Sequence, residues 1–130
     1  MNGYIGDIEQ ETIKNQDFRR VVYTAPRQQL VVMSIPPGGD IGEETHDDVD
    51  QFIRCEAGTG SAVLNGTVHT LQDGVAVIVP AGVRHNIINT SSSDALKLYT
   101  LYSPPEHKDQ TVHQTKNDVT EEHFDGKTTE

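Results

Sequence analysis

Residues 74–89 hold a β-branched run that ends at Pro80, turns at Gly82 and restarts as a second strand at His85. That arrangement sets one imidazole at the lip of β-structure, where a metal ion or a substrate can reach it. Imidazole is a common metal ligand and acid–base group, so the rest of the chain is searched for partners to His85. His46 stands in the acidic stretch Glu43–Asp50, two residues after Glu44. Residues at i and i+2 on a strand share a face, so Glu44 and His46 point the same way. The other four histidines read as less engaged. His69 lies in a hairpin strand and reads as surface, and His123 in the tail reads as solvated. His107 and His113 read as exposed loop residues, or as part of an arm able to fold over the site. Cys55, in phase with Ile53, reads as a buried core residue rather than a reactive thiol, since no electropositive neighbour is in sight.

Short β-branched or alternating runs bounded by Gly, Pro, Asn and Asp position these groups. Strands are expected over Arg20–Thr24, Gln29–Ile35, Gln51–Glu56, Ser61–Leu64, Thr67–Leu71, Val75–Val79, His85–Asn89 and Ala95–Ser103. Asn65-Gly66 is a two-residue hairpin signal, because both positions tolerate positive φ. Strands of this length and spacing indicate an all-β sandwich or barrel. A further strand near residues 8–14 is expected to cover a sheet edge, exchanging with a partner. A short C-terminal helix is expected over Asn117–Phe124, capped by Asn117 or Asp118. No linker or repeat interrupts the chain, so it reads as one domain, 1–130, with a core of about 18–104 and an arm at 105–130.

The pattern Gly74-x5-Pro80-x-Gly82-x2-His85-x3-Asn89 resembles the second signature of the cupin superfamily at every fixed position. Upstream, Gly38-x5-Glu44-x-His46-x4-Gln51-x6-Gly58 is similar in spacing to the first cupin signature. Two residue types depart from it: Glu44 stands where the first histidine belongs, and Gln51 where the glutamate belongs. The resemblance implies a jelly-roll barrel in which Glu44, His46, Gln51 and His85 converge on one metal ion. Asp48 also shares a face with His46 and is a rival ligand, but the signature spacing favours Glu44 and leaves Asp48 in a solvated turn.

Two imidazoles and one carboxylate suit Zn, Mn, Fe, Ni or Co as divalent ions. The Gln51 amide oxygen is a weak, uncharged fourth donor. Exchanging a carboxylate for an amide removes one negative charge, and Glu44 restores it, so the usual ligand charge is kept. Three uses follow. One is a metalloenzyme acting on a sugar-like or other small polyoxygenated substrate, in the manner of an isomerase, where the ion acts as Lewis acid. The ligand set resembles that of the mannose-6-phosphate isomerase group, although the order of Glu and Gln differs. The second is an iron-dependent dioxygenase-like enzyme, and the third a non-catalytic small-molecule-binding cupin. Acid–base candidates are Glu44, Tyr102, His107 and His113. Against a sugar phosphate, strand alternation points Arg54, Arg84 and Lys97 outward. The sequence does not place Arg19, Arg20 or Arg27.

The chain carries a formal charge of −10 and a pI of about 4.9. Nucleic acid and anionic membranes are therefore poor partners. One cysteine precludes an intrachain disulfide, and the N-terminus lacks the pattern of a secretory signal, which points to the cytoplasm. Ile88, Tyr99 and Leu101 alternate onto an outer face, which signals a partner surface. Together with the cupin resemblance, this implies a homodimer.

Overall fold

A computed structural model describes residues 1–130. After a short helix, α1 (Ile8–Lys14), the chain forms β1 (Arg19–Thr24), β2 (Gln29–Ile35), β3 (Asp50–Ala57), β4 (Thr59–Leu64), β5 (Thr67–Gln72), β6 (Ala76–Val79), β7 (His85–Asn89), β8 (Leu96–Ser103) and β9 (Val112–His113). Two antiparallel sheets result, one in the order β6-β3-β8-β2-β1-β9 and the other β5-β4-β7. The expected all-β jelly-roll class is what the structure shows, and every strand expected from residue 20 to residue 103 is present.

Alternation explains the packing. In β8 the residues Leu96, Leu98, Thr100 and Tyr102 are buried while their neighbours are half-buried. With Val31, Met33, Ile35, Ile53, Cys55, Leu71 and Ile87 they fill the space between the sheets. Burial pushes the Cys55 thiol up to about 11, which keeps it protonated and inert. The Asn65-Gly66 turn has positive φ at both residues, 47° and 82°, as a tight hairpin requires.

Both ends of the chain differ from expectation. Residues 8–14 form α1, not an exchanging strand. Asp7 accepts a hydrogen bond from Gln10 N at 3.1 Å, acidic Glu9 and Glu11 occupy the first turn, and Lys14 the last. These placements complement the helix dipole. The helix end lies on the outer face of the larger sheet, where Lys97 Nζ donates to Asn15 O at 2.5 Å. At the other end, the helix expected over Asn117–Phe124 is one 3-10 turn, Lys116–Asp118, held by Thr115 and Asp118. Val119 and Thr120 are β-branched and disfavour helix. Phe124 N donates to Glu106 O at 2.9 Å instead of to a preceding turn, and His123 bridges to His107. The segment is thereby drawn across one end of the fold. No helix is long and apolar enough to cross a membrane.

Candidate metal centre

Two backbone hydrogen bonds, Glu44 N to His85 O and His85 N to Glu44 O, both 2.9 Å, lash the segment before β3 to the free edge of β7. Residues paired directly across an antiparallel ladder project to the same face, so the Glu44 carboxylate and the His85 imidazole are neighbours by construction. His46, two residues on, joins them, and its carbonyl accepts from Gly82 N at 2.8 Å. The Pro80-x-Gly82 turn that precedes His85 therefore also pins His46.

Donor atoms of Glu44, His46 and His85 all lie within 4.8 Å of one another. Ligands of a tetrahedral zinc-like ion, each at about 2.0–2.2 Å, stand about 3.3–3.6 Å apart. The three groups are gathered in one place and close on an ion by small side-chain shifts. The ring of His85 is oriented by its Nδ1, 2.9 Å from Val83 O, which leaves Nε2 for the site. His46 is arranged likewise: Nδ1 faces Glu106 Oε1 at 3.4 Å, and Nε2 stands 3.1 Å from Glu44 Oε2. That last pair is at ion-pair distance, though without ideal hydrogen-bond alignment. Without an ion, Glu106 and Glu44 raise His46 to about 9, against the smaller opposing effect of burial.

Gln51 begins the inward face of β3 and is buried. Its Nε2 donates to Thr100 Oγ1 at 3.0 Å, which fixes the amide and leaves Oε1 buried without a partner. An orphaned amide oxygen fits a weak fourth ligand. Asp48 is exposed, in agreement with a solvated turn. These donors fit a divalent transition metal, the group the sequence resemblance implies.

Glu44 and His46 open into a cavity of about 360 Å³, while His85 and Gln51 lie behind its lining residues. Arg19, Glu44, His46, Glu106 and His107 line it, together with the exposed segment Val119–His123. Of the proposed acid–base residues, His107 does face this space. It is not an exposed loop residue: burial first, and then the field of Arg19, push it down to about 2, so it stays neutral. Its Nε2 is buried and unpartnered. His113 is also buried, in β9, and its Nδ1 lies 3.5 Å from Arg19 Nη1. Tyr102 is a wall. It meets His46 and His107 edge-on at 6.0 and 5.0 Å, and burial holds its phenol far above the usual range. His69 is exposed, as expected. His123 is largely exposed, yet its Nδ1 is 3.2 Å from Glu106 Oε1, so it belongs to the rim of the cavity rather than to free solvent.

Two residues of the site were not identified from sequence. Glu106 follows the last long strand. The main chain there is clamped by Gln29, whose Oε1 accepts from His107 N at 2.9 Å and whose Nε2 donates to His107 O at 2.7 Å. Arg19 is 4% exposed and shares the inward face of β1 with Val21. Extending the expected strand by one residue, from Arg20 to Arg19, would have put it in phase. Arg20 and Arg27 stay outside, Arg20 paired with Glu11 at 3.2 Å and Arg27 exposed. Arg54, Arg84 and Lys97 also point away from the cavity, onto Glu56, Glu43 and Asn15 respectively.

Residues 31–102 match the Cupin domain family. This chain is a cupin. It is 49% identical over 107 residues to the uncharacterized protein L612 of Acanthamoeba polyphaga mimivirus, a match covering 80% of this chain and 67% of that one. With the uncharacterized protein YrkC of Bacillus subtilis it shares 40% identity over 122 residues, covering 89% of this chain and 65% of YrkC. It thus spans about two thirds of the length of these relatives. The crystal structure of BH2720 from Bacillus halodurans superposes with a TM-score of 0.86 at 40% identity, covering 88% of this cupin and 91% of that chain.

Proposed function

We propose that this cupin binds one divalent transition metal (Zn, Mn, Fe, Ni or Co) through Glu44, His46, Gln51 and His85, and that it is a metalloenzyme for a small polyoxygenated substrate, isomerase-like in its chemistry. The observation that carries the reading is the gathering of Glu44, His46 and His85 donor atoms within 4.8 Å of one another, with His46 Nε2 3.1 Å from Glu44 Oε2. When bound, the ion supplies Lewis-acid polarisation of a carbonyl or hydroxyl oxygen.

The remaining groups divide the work. Glu106 and the Val83 carbonyl orient the two imidazoles. His107, held neutral, offers Nε2 as a hydrogen-bond partner to substrate and is too weak a base to store a proton. Val119–His123 supplies part of the cavity wall. The Glu44–His46–His85 trio is also a two-histidine, one-carboxylate set, which favours the iron-dependent dioxygenase-like alternative if Gln51 stays off the ion.

Metal analysis of the purified protein tests the reading. About one transition-metal ion per chain is expected for the parent. Glu44→Ala and His85→Ala should each weaken binding by at least about tenfold, in the range seen when supporting groups alone are removed. Absence of stoichiometric metal, or Glu44→Ala with unchanged affinity, would overturn it. Oxygen consumption by the iron-loaded protein would move the assignment to the dioxygenase-like alternative.

A further inference from the structure

Arg19 is the anomaly of the cavity. Its side chain is buried, at 4% exposure, yet no carboxylate lies within ion-pair distance of it in a chain of net charge −10. Its Nε is buried with no hydrogen-bond partner. The one polar side chain on it is His113, whose Nδ1 sits 3.5 Å from Nη1, and the guanidinium carbon lies 5.4 Å from the centroid of the Phe18 ring. Neither neighbour carries a negative charge. Burying a guanidinium without a counter-ion is strongly unfavourable, and a fold that keeps one in a ligand-sized cavity keeps it for an anion that arrives from outside.

We propose that Arg19 receives the carboxylate of a small hydroxy- or oxo-acid, whose neighbouring oxygen faces the Glu44–His46–His85 cluster. The second half of this statement rests on the metal reading above, and the first half does not. A guanidinium presents paired N–H donors that match the two oxygens of a carboxylate. The cavity, about 360 Å³, suits an acid of a few carbons. Its charge favours a carboxylate over a phosphate, because Glu44, Glu106, Glu121 and Glu122 line the same space and repel a dianion more than a monoanion. His107 and His113 are both pushed below the usual imidazole range, by burial and by Arg19 itself. Arg19 is therefore the one permanent cation available to the ligand among the residues that line the cavity.

Calorimetric titration of the metal-loaded protein with glycolate, glycolamide and inorganic phosphate tests the proposal. Glycolate and glycolamide are nearly isosteric and differ in the charge that Arg19 would read. The expected result is that glycolate binds at least about tenfold more tightly than glycolamide, and that Arg19→Gln removes the difference while leaving metal content unchanged. The comparison of the two ligands on the parent protein needs no variant and stands even if Arg19→Gln folds poorly. Equal binding of glycolate and glycolamide, or a glycolate preference that survives Arg19→Gln, would overturn the role of Arg19. Phosphate bound more tightly than glycolate through Arg19 would overturn the choice of a carboxylate. Loss of the metal reading appears separately, as a parent protein that takes up no ion.

Discussion

His46 stands between two carboxylates, and its proton sets the terms on which an ion enters. Glu106 and Glu44 hold the imidazole protonated up to about pH 9 in the metal-free protein, whereas an ordinary imidazole loses its proton near 6.5. An ion at Nε2 must displace that proton. Raising the pH removes the competitor, so apparent metal affinity should climb, by up to about tenfold per pH unit, until it levels near pH 9. Competition titrations with a chromogenic chelator across that interval check the slope. Levelling already near 6.5 would show that Glu106 and Glu44 do not hold the proton. At this scale the sequence was most legible where a residue's role follows from its own neighbours: Glu44 and His46 by i and i+2, His85 by the turn before it. Glu106 was hidden because the clamp that delivers it runs from Gln29, far away along the chain. Arg19 was hidden because the expected strand began one residue after it, so the inward alternation of Val21 was not carried back to it.

The elements that hold the site are two facing sheets and the segment strapped to the edge of β7. Strands were legible because apolar alternation and turn residues both mark them. The ends were not, for a physical reason. A seven-residue helix is too short to display a period, and its signals are the Asp7 cap and the charged turns at either end. Residues 117–124 carry a helix cap, but after one 3-10 turn Phe124 and His123 pair with Glu106 and His107, partners no local pattern reveals. The close approach of β4 to β7, which supports His85, depends on Gly60. A Cβ there would collide with the Ile88 carbonyl oxygen and reach 3.0 Å from Leu96 Cδ2. Backbone cannot yield as a flexible side chain can, so Gly60→Ala should destabilise the metal-free protein by about 2 kcal/mol or more. Urea unfolding measures this as a lower midpoint, and an unchanged midpoint would contradict the packing of these two strands.

Across the whole molecule the jelly roll brings together groups that are remote in sequence. Arg19 comes from the first strand, Glu44 and His46 from the edge segment, His85 from β7, Glu106 and His107 from beyond β8, and the tail crosses above them. The strong overall negative charge makes the isolated buried cation stand out, and Arg19 and His46 line one cavity. The proposed metal ion sits among the Glu44, His46 and His85 donors, with the Gln51 oxygen as a weak fourth. Anomalous diffraction from crystals of the metal-loaded protein, collected at the absorption edge of the ion, tests this placement most directly. A single strong peak is expected about 2.0–2.2 Å from donors of Glu44, His46 and His85. No peak at that cluster in crystals of stoichiometrically loaded protein, or a peak held instead by Asp48, would contradict it.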